Sequence, residues 1–426
     1  MSPGATFRRE PFNFRMKIYR QKLYSNAKRK GLHQVVTRFG DVRNYAVKMM
    51  EKYNALHRLP PEGQTTTRKC ADGKILTAYD LSNHIARKKK NPNCATAKML
   101  EGLPSQAVQE TFARVYKGWA HYLKTCKKRK KQKQKGEFVE NKRVRKPHEI
   151  KPWLNKSFTL LQAGYKFVED NHVVLLGRKY GFHKSQPIKG RVKRITIKRD
   201  RCGDLWLVVL TDWNESTSLP RTGRSAGFDF GLKTFLTGSD GFDIRCPLFL
   251  TREMKKYRRL SSKVGKKKLG SKRRKKARRA LARFLRHIVN RREDWQWKTA
   301  RAIVQRYDII CLETLNIEAM KKLWGRKISD LAFSEFVAKL KYLAAKTGRT
   351  LVFVDRWAPT SQVCSECGAK NPATKDLRVR EWECPHCHAM HDRDRNAAIN
   401  IYREGMSSLG LGPVRPFPAR EMALTA

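Results

Sequence analysis

Two matched cysteine pairs, Cys364 with Cys367 and Cys384 with Cys387, give the spacing C-x2-C-x16-C-x2-C. Two knuckles of this kind let four thiolates meet round one Zn2+ at about 2.3 Å from the metal. With sulfur at every position no place is left for water or substrate, so one structural zinc is expected. His386, His388 and His391 stand among these cysteines as alternative ligands. Disulfides are the competing reading, but the first twenty residues carry charges every few positions and resemble no export signal. A redox pair is the other, and two evenly matched pairs are better explained by a single metal. Cys70, Cys94, Cys126, Cys202, Cys246 and Cys311 lie apart and are expected as small core residues.

Three acids have a different chemistry. Hydrolysis of a phosphodiester with two Mg2+ ions needs hard carboxylates converging from separate elements, with the metals about 3.5–4 Å apart. Asp229 sits within the apolar run AGFDFGL, where a carboxylate is costly unless a cation or hydrogen bonds satisfy it. Glu313 directly follows the apolar DIICL, and Asp394 opens the helical pattern DRNAAINIYRE, where the helix dipole favours an anion. Singly, each has a plain alternative: a strand-end ion pair for Asp229 or Glu313, a helix cap for Asp394. Jointly they fall on the first strand, the fourth strand and the last helix, where an RNase H-like fold delivers its acidic triad.

The rest of the chain carries a large positive charge. Lys and Arg number 94 against 37 Asp and Glu, a net +57, whereas solubility asks of a small domain only about 2–8. Such self-repulsion disfavours a compact free chain, so a polyanion is expected as partner. Charge alone equally suits a ribosomal, chromatin-type or anionic-membrane protein. No apolar run approaches the roughly 18 residues of a membrane span, so a reducing, cytosolic setting and no membrane partner are expected.

The elements that must hold these groups can be read in outline. In PFNFRMKIYRQKL the apolar residues Phe12, Phe14, Met16 and Ile18 alternate as in a half-buried strand. From Lys28 to about Cys126 the spacing is helical, broken around Leu59–Thr67 and Asn91–Cys94. The runs Lys127–Lys135 and Lys142–Lys146 read as a solvated loop that orders on a polyanion. HVVLLG, RVKRITIKR and LWLVVLTD restore a strand signal and suggest a small barrel. After a linker, GFDFGLKTFLTGSDG reads as two strands joined around Gly231–Leu232 and closed by a Ser-Asp-Gly turn. Arg252–Arg292 is about half Lys and Arg, a basic helix or helix pair; a helix over Glu293–Arg306, a strand over Asp308–Leu312, helices over Ser329–Thr347 and the strand TLVFVD follow. Alternation of strand and helix is an α/β signature. Trp295, Trp297, Phe284 and Tyr257 beside the basic run could stack on bases, though core packing is the better reading. No internal repeat is visible, and the Gly- and Pro-rich tail from Ser407 reads as disordered.

The segments GFDFGLKTFLTGSDG, CLETLNI, PTSQVCSECGAKN, WECPHC and HDRDRNAAINI together resemble TnpB, the transposon-encoded nuclease family related to type V CRISPR effectors. The likeness runs from about Arg221 to Arg403 and more loosely through RVKRITIKRD and LPSQAVQETF. It implies a multidomain α+β chain: a helical recognition lobe, a small β-barrel wedge domain, and an RNase H-like (RuvC) α/β nuclease domain interrupted by a zinc ribbon. The expected boundaries are a wedge strand over 1–25, recognition helices over 26–126, the wedge barrel with its basic loop over 127–222, RuvC over 223–360 and 391–406, the ribbon over 361–390, and a tail over 407–426. Carried over by motif, Asp229 is the first catalytic Asp, Glu313 the catalytic Glu, and Asp394 the last Asp, counted two before Asn396, with Asp392 its nearest rival. Phe228 and Phe230 stand where aliphatic residues are more usual.

What the resemblance implies is an RNA-guided DNA endonuclease. It would take guide RNA from a transposon end and cleave target DNA beside a short motif, using one structural Zn2+ and two catalytic Mg2+, with Mn2+ as an alternative. Motif reading would fall to Ser105, Gln106 and Gln109, since Gln pairs bidentately with adenine edges. Lys266, Lys267, Lys268, Arg273 and Arg274 would hold phosphates. Other readings are a miniature type V CRISPR effector and a non-cleaving RNA-guided DNA-binding regulator, because some relatives have lost the triad. The number of chains in the particle stays open.

Overall fold

The structure is a computed structural model, and it describes residues 16–24, 29–56, 78–91, 93–136, 145–213, 217–376 and 378–411. The chain divides into two compact units, Arg15–Asn214 and a second that holds Glu215–Ala426. No helix among the described residues is long and apolar enough to cross a membrane.

The first unit opens with β1 (Lys17–Leu23), followed by α1 (Arg29–Leu56), α2 (Ala78–Lys89), α3 (Ala95–Leu100) and α4 (Ser105–Gln134). Six strands follow: β2 (Ser157–Leu160), β3 (Tyr165–Val168), β4 (His172–Leu175), β5 (Arg178–His183), β6 (Val192–Arg199) and β7 (Leu205–Thr211). They join β1 in one seven-stranded sheet of order β2-β6-β7-β1-β5-β4-β3. The described pairings leave β2 and β3 as edges, so the expected barrel is an open sheet. One core joins α1 and α4 to its face; Phe39 of α1 stacks on Phe158 of β2 with ring centroids 4.8 Å apart.

Three expectations change in this unit. The strand around residue 18 exists, but with the opposite face inward: Met16 is 58% and Ile18 64% exposed, whereas Tyr19, Gln21 and Leu23 are buried. The cause is register. β1 pairs with β7 so that Tyr19 faces Val209 and Gln21 faces Leu207, and a shift of one residue turns every side chain over. Buried Gln21 is satisfied, its Oε1 accepting the Ser185 N–H and hydroxyl at 2.9 Å and its Nε2 donating to the Gln186 carbonyl at 3.2 Å. Phe12 and Phe14 lie outside the described residues, as do the break at Leu59–Thr67 and Lys142 to Val144. The charge run from Lys127 is helix, not loop, through Gln134. Lys and Gln are good helix formers, and a helix nucleated on a buried face, here Val108, Phe112 and Trp119, extends through them at little cost. Finally, Cys126 is exposed and Cys94 and Cys246 only half-buried; Cys202 and Cys311 are the core cysteines, and Cys70 lies outside the described residues.

The second unit holds β8 (Ser225–Asp229), β9 (Thr234–Gly238) and β10 (Ile244–Arg245), then α5 (Phe249–Arg252), α6 (Met254–Gly265) and α7 (Lys272–Arg306). Next come β11 (Ile309–Glu313), α8 (Ile317–Leu331), α9 (Phe333–Thr347), β12 (Thr350–Val354), the short strands β13 (Glu381–Glu383) and β14 (Met390–Asp392), and α10 (Arg393–Ser407). The basic run over Arg252–Arg292 is thus mainly a helix pair, α6 and the first part of α7, and the helix expected over Glu293–Arg306 continues α7. The five-stranded sheet runs β10-β9-β8-β11-β12, antiparallel among the first three and parallel from β8 through β12. Helices α7, α8 and α9 supply its apolar layer, where buried Gln296 of α7 donates to the Leu331 carbonyl at 3.0 Å.

Helix α10 lies against β8 and β11 at van der Waals range because a glycine stands on each side of the contact, Gly227 on β8 and Gly405 on α10. A Cβ at Gly227 would come 2.5 Å from the Ala398 carbonyl oxygen, and one at Gly405 would come 2.4 Å from Cys311 Sγ. Ser407, expected to open a disordered tail, instead closes α10, and residues to Leu411 continue in hydrogen-bonded turns; 412–426 lie outside the described residues.

Candidate active site and metal centre

Parallel pairing aligns the carboxyl ends of β8, β11 and β12. Leu312 pairs with Phe228, so Asp229 and Glu313 are the next residues of two adjacent strands, and Glu313 pairs with Val354 on the other side. In open α/β sheets this edge is where ligands bind. Asp394 reaches the same place from the first turn of α10, with Ser225 Oγ and Tyr402 Oη 2.9 Å apart further along the helix.

Asp229 feels both of the other acids. The Asp229 carboxyl is held well above the usual carboxylate range, by burial first, then by the negative charges of Glu313 and Asp394. Burial also raises Glu313, which is hydrogen-bonded to Asp229. Like charges gathered out of water are stable only with a proton or a cation among them. Carboxylate oxygens are the hard donors that a divalent cation would take.

Asp392 and Asp394 separate cleanly. Asp392 is the N-cap of α10: it is exposed, and its Oδ1 accepts the Arg395 N–H at 2.8 Å. The cap role that was the plain alternative for Asp394 thus belongs to Asp392. Asp394 receives Arg380 Nη1 instead, 3.1 and 3.4 Å from its two oxygens, and buried Arg393 feels the charges of both Asp394 and Asp229. Neither arginine was marked by spacing; Arg380 meets Asp394 only through the fold, fourteen residues away along the chain.

The four cysteines come together. Their sulfurs all lie within 4.8 Å of one another, with Cys364 to Cys387 and Cys367 to Cys384 at 3.6 Å. A tetrahedron with spokes of about 2.3 Å has edges of about 3.8 Å, so the set fits Zn2+. Each knuckle closes alike, the Gly368 N–H on the Cys364 carbonyl at 3.0 Å and the His388 N–H on that of Cys384 at 2.9 Å. Gly368 has φ +78°, and His388 takes the matching left-handed position at φ +56°. Without a metal the sulfurs share their protons unevenly: the Cys384 thiol is drawn down to about 6, chiefly by the Cys387 backbone N–H, while Cys387 is pushed up to about 12 and burial raises Cys364. Of the three histidines, His391 comes closest: its Nε2 is 3.0 Å from Cys364 Sγ and its ring packs on Trp382 at 4.6 Å. It stands as a hydrogen-bond partner of a filled thiolate set, while His386 and His388 are exposed.

The family described as "Probable transposase" matches residues 208–323, and that described as "Cas12f1-like, TNB domain" matches residues 333–401. A "Putative RNA-guided DNA endonuclease" of Streptomyces pristinaespiralis is 37% identical over 225 residues, covering 52% of this chain and 55% of that protein. A TnpB-like protein of Acanthamoeba polyphaga mimivirus is 28% identical over 281 residues, 61% of this chain and 52% of that one. Over these segments the chain is similar to TnpB-like proteins. It spans about half the length of these curated relatives. A solved complex of Cas12f1 with sgRNA and target DNA aligns with 91% of this chain and 98% of its own at 14% identity, TM-score 0.46.

The expected nucleic-acid residues divide. Ser105 and Gln109 are exposed on α4, but Gln106 Oε1 accepts the Gln162 and Ala163 N–H groups at 3.4 and 3.3 Å and so helps hold the unit together. Lys266, Lys267 and Lys268 are exposed in the α6–α7 turn and Arg273 on the first turn of α7. Arg274 serves the fold instead, its Nη1 donating to the Val264 and Lys267 carbonyls at 3.1 and 2.8 Å and so closing that turn. Of the aromatics, Phe284 is buried, Trp295 packs edge-on against Phe235 at 4.9 Å and Tyr257 is half-buried, while Trp297 remains 39% exposed.

Proposed function

We propose that the chain is an RNA-guided DNA endonuclease whose cutting centre is Asp229, Glu313 and Asp394, within an RNase H-like nuclease domain carrying a zinc ribbon. The observation that carries this is that Asp229 and Glu313 end two adjacent parallel strands, β8 and β11, where Asp229 also feels the charge of Asp394 from α10, in a chain whose cations far outnumber its anions. Mg2+ or Mn2+ ions held there would supply water activation and charge neutralisation at a phosphodiester. The chain's own part is to aim the three carboxylates from rigid elements, with Asp394 in the first turn of α10. Its basic helices hold phosphates without reading sequence. Base pairing between a guide RNA, drawn from a transposon end, and the target strand supplies specificity, and the chain reads only a short motif beside it.

The test is to purify the full chain, sequence the RNA that accompanies it, and offer a plasmid carrying the matching target with Mg2+. Cutting of the matched plasmid, stopped by EDTA, is the expected result. Guided binding without cutting by the native chain would assign it to the binding regulators, and absence of guided binding would overturn the reading. Whether the RNA maps to a transposon end or to a CRISPR array decides the source of the guide.

A further inference from the structure

We infer that Trp357 and Arg356 form a stacking platform for an unpaired base of the DNA strand being cut, an inference that rests on the endonuclease reading. Strand β12 ends at Val354, the residue paired with Glu313, and the Thr314 N–H bonds the Val354 carbonyl at 3.1 Å. The chain then turns at Asp355. Its Oδ1 accepts the Trp357 N–H at 2.8 Å and its carbonyl accepts the Ala358 N–H at 3.1 Å. Trp357 therefore stands three residues beyond the pair that fixes Glu313, on a turn closed by its own hydrogen bonds, at the carboxyl edge of the parallel strands.

The side chain is out of place for a folding role. Trp119 and Trp382 are buried in cores, whereas Trp357 is 78% exposed, more than Trp153 at 61% or Trp297 at 39%. The Arg356 guanidinium lies 4.8 Å from its ring centroid, so one face carries a cation and the exposure leaves the other open. An indole with a free face and a positive charge matches a nucleobase followed by its phosphate. Stacking of this kind accepts any base, because every base has a π-face. That tolerance suits a centre whose sequence is read by pairing elsewhere. A strand led singly to the carboxylates has lost its stacked neighbours, and the indole replaces one of them at the edge where Asp229 and Glu313 end.

The full chain with its accompanying guide RNA is bound, in EDTA, to matched target DNA carrying 5-iodo-2′-deoxyuridine at successive positions of either strand, then irradiated and mapped by mass spectrometry. A crosslink at residue 357 from positions near the cut is expected, kept in Trp357→Tyr and lost in Trp357→Ala. With Mg2+, Trp357→Ala should cut roughly 5- to 100-fold more slowly, Trp357→Tyr near the native rate, and guided duplex binding should hold in both. Native cutting by the alanine variant with no crosslink at any DNA position overturns the platform alone, as does a crosslink that appears only with iodouridine in the guide. Failure of the endonuclease reading is seen separately, in a native chain that does not cut its matched plasmid, and it removes the platform with it.

Discussion

The side-chain amide of Asn396 grips the backbone beside Cys364: its Oδ1 accepts the Ser365 N–H at 2.8 Å and its Nδ2 donates to the Val363 carbonyl at 2.8 Å. Asn396 is 1% exposed and stands two residues beyond Asp394 on α10. One turn on, Asn400 Nδ2 holds the Val363 and Thr360 carbonyls at 2.7 and 2.8 Å. Strand β14 runs directly into α10, with Asp392 both its last residue and the helix cap. The cysteine knuckles are thereby fastened to the helix that carries Asp394. Elemental analysis should find one zinc per chain. Asn396→Ala should keep that zinc yet cut about 10- to 100-fold more slowly, the usual cost of losing a partner just outside a metal's ligands. A variant with native zinc and native rate would show the clamp to be idle.

For the acids, Asp229→Ala, Glu313→Ala and Asp394→Ala should each abolish cutting and leave guided binding in gel assays largely intact. Asp392→Ala removes only a helix cap and should cost about 1 kcal/mol of stability. A dead Asp392→Ala beside a fully active Asp394→Ala would reverse the assignment.

Proton linkage supplies a measurement that does not need cutting. Asp229 has its folded pKa raised, so its contribution to stability is present below the unfolded value of about 4 and is lost as pH climbs through the folded value. In EDTA the native chain should therefore lose thermal stability relative to Asp229→Asn as pH rises from about 4 to neutral, and Mg2+ should restore it only in the native chain. Parallel melting curves for the two proteins across that range would refute the like-charge cluster.

The basic helices give a salt test. No acid lies in the first turn of α7, where Lys272 and Arg273 oppose the helix dipole, an arrangement that phosphates relieve. Replacing Lys266, Lys267, Lys268 and Arg273 by Gln should weaken RNA binding for all guide sequences alike. The log–log salt slope should flatten by about 0.7–0.9 for each phosphate that is no longer neutralised. Arg274 is kept, since it closes the α6–α7 turn. An unchanged slope and affinity would reduce the run to a solvated surface.

What the sequence by itself determined follows from locality. The ligands of each cysteine knuckle lie within four residues, so spacing alone specifies a four-sulfur cluster whose sulfurs then meet within 4.8 Å. Asp229 and Glu313 were legible as charges costly in apolar runs, and Asp394 as an anion at a helix start, because desolvation and the helix dipole act over a few residues. Tertiary structure decided what depends on distant partners. β1 could not reveal its inward face, since β7 sets the register and buries Gln21 rather than Ile18. Along the chain only the count from Asn396 tells Asp392 from Asp394; the start of α10 then makes Asp392 its cap and sets Asp394 in its first turn. Arg274 reads as one more phosphate ligand until the Val264 and Lys267 carbonyls claim it. Asn396 gains its role only when α10 approaches the knuckle closely enough for a 2.8 Å bond, because a hydrogen bond is directional and short-ranged where charge and hydropathy are not.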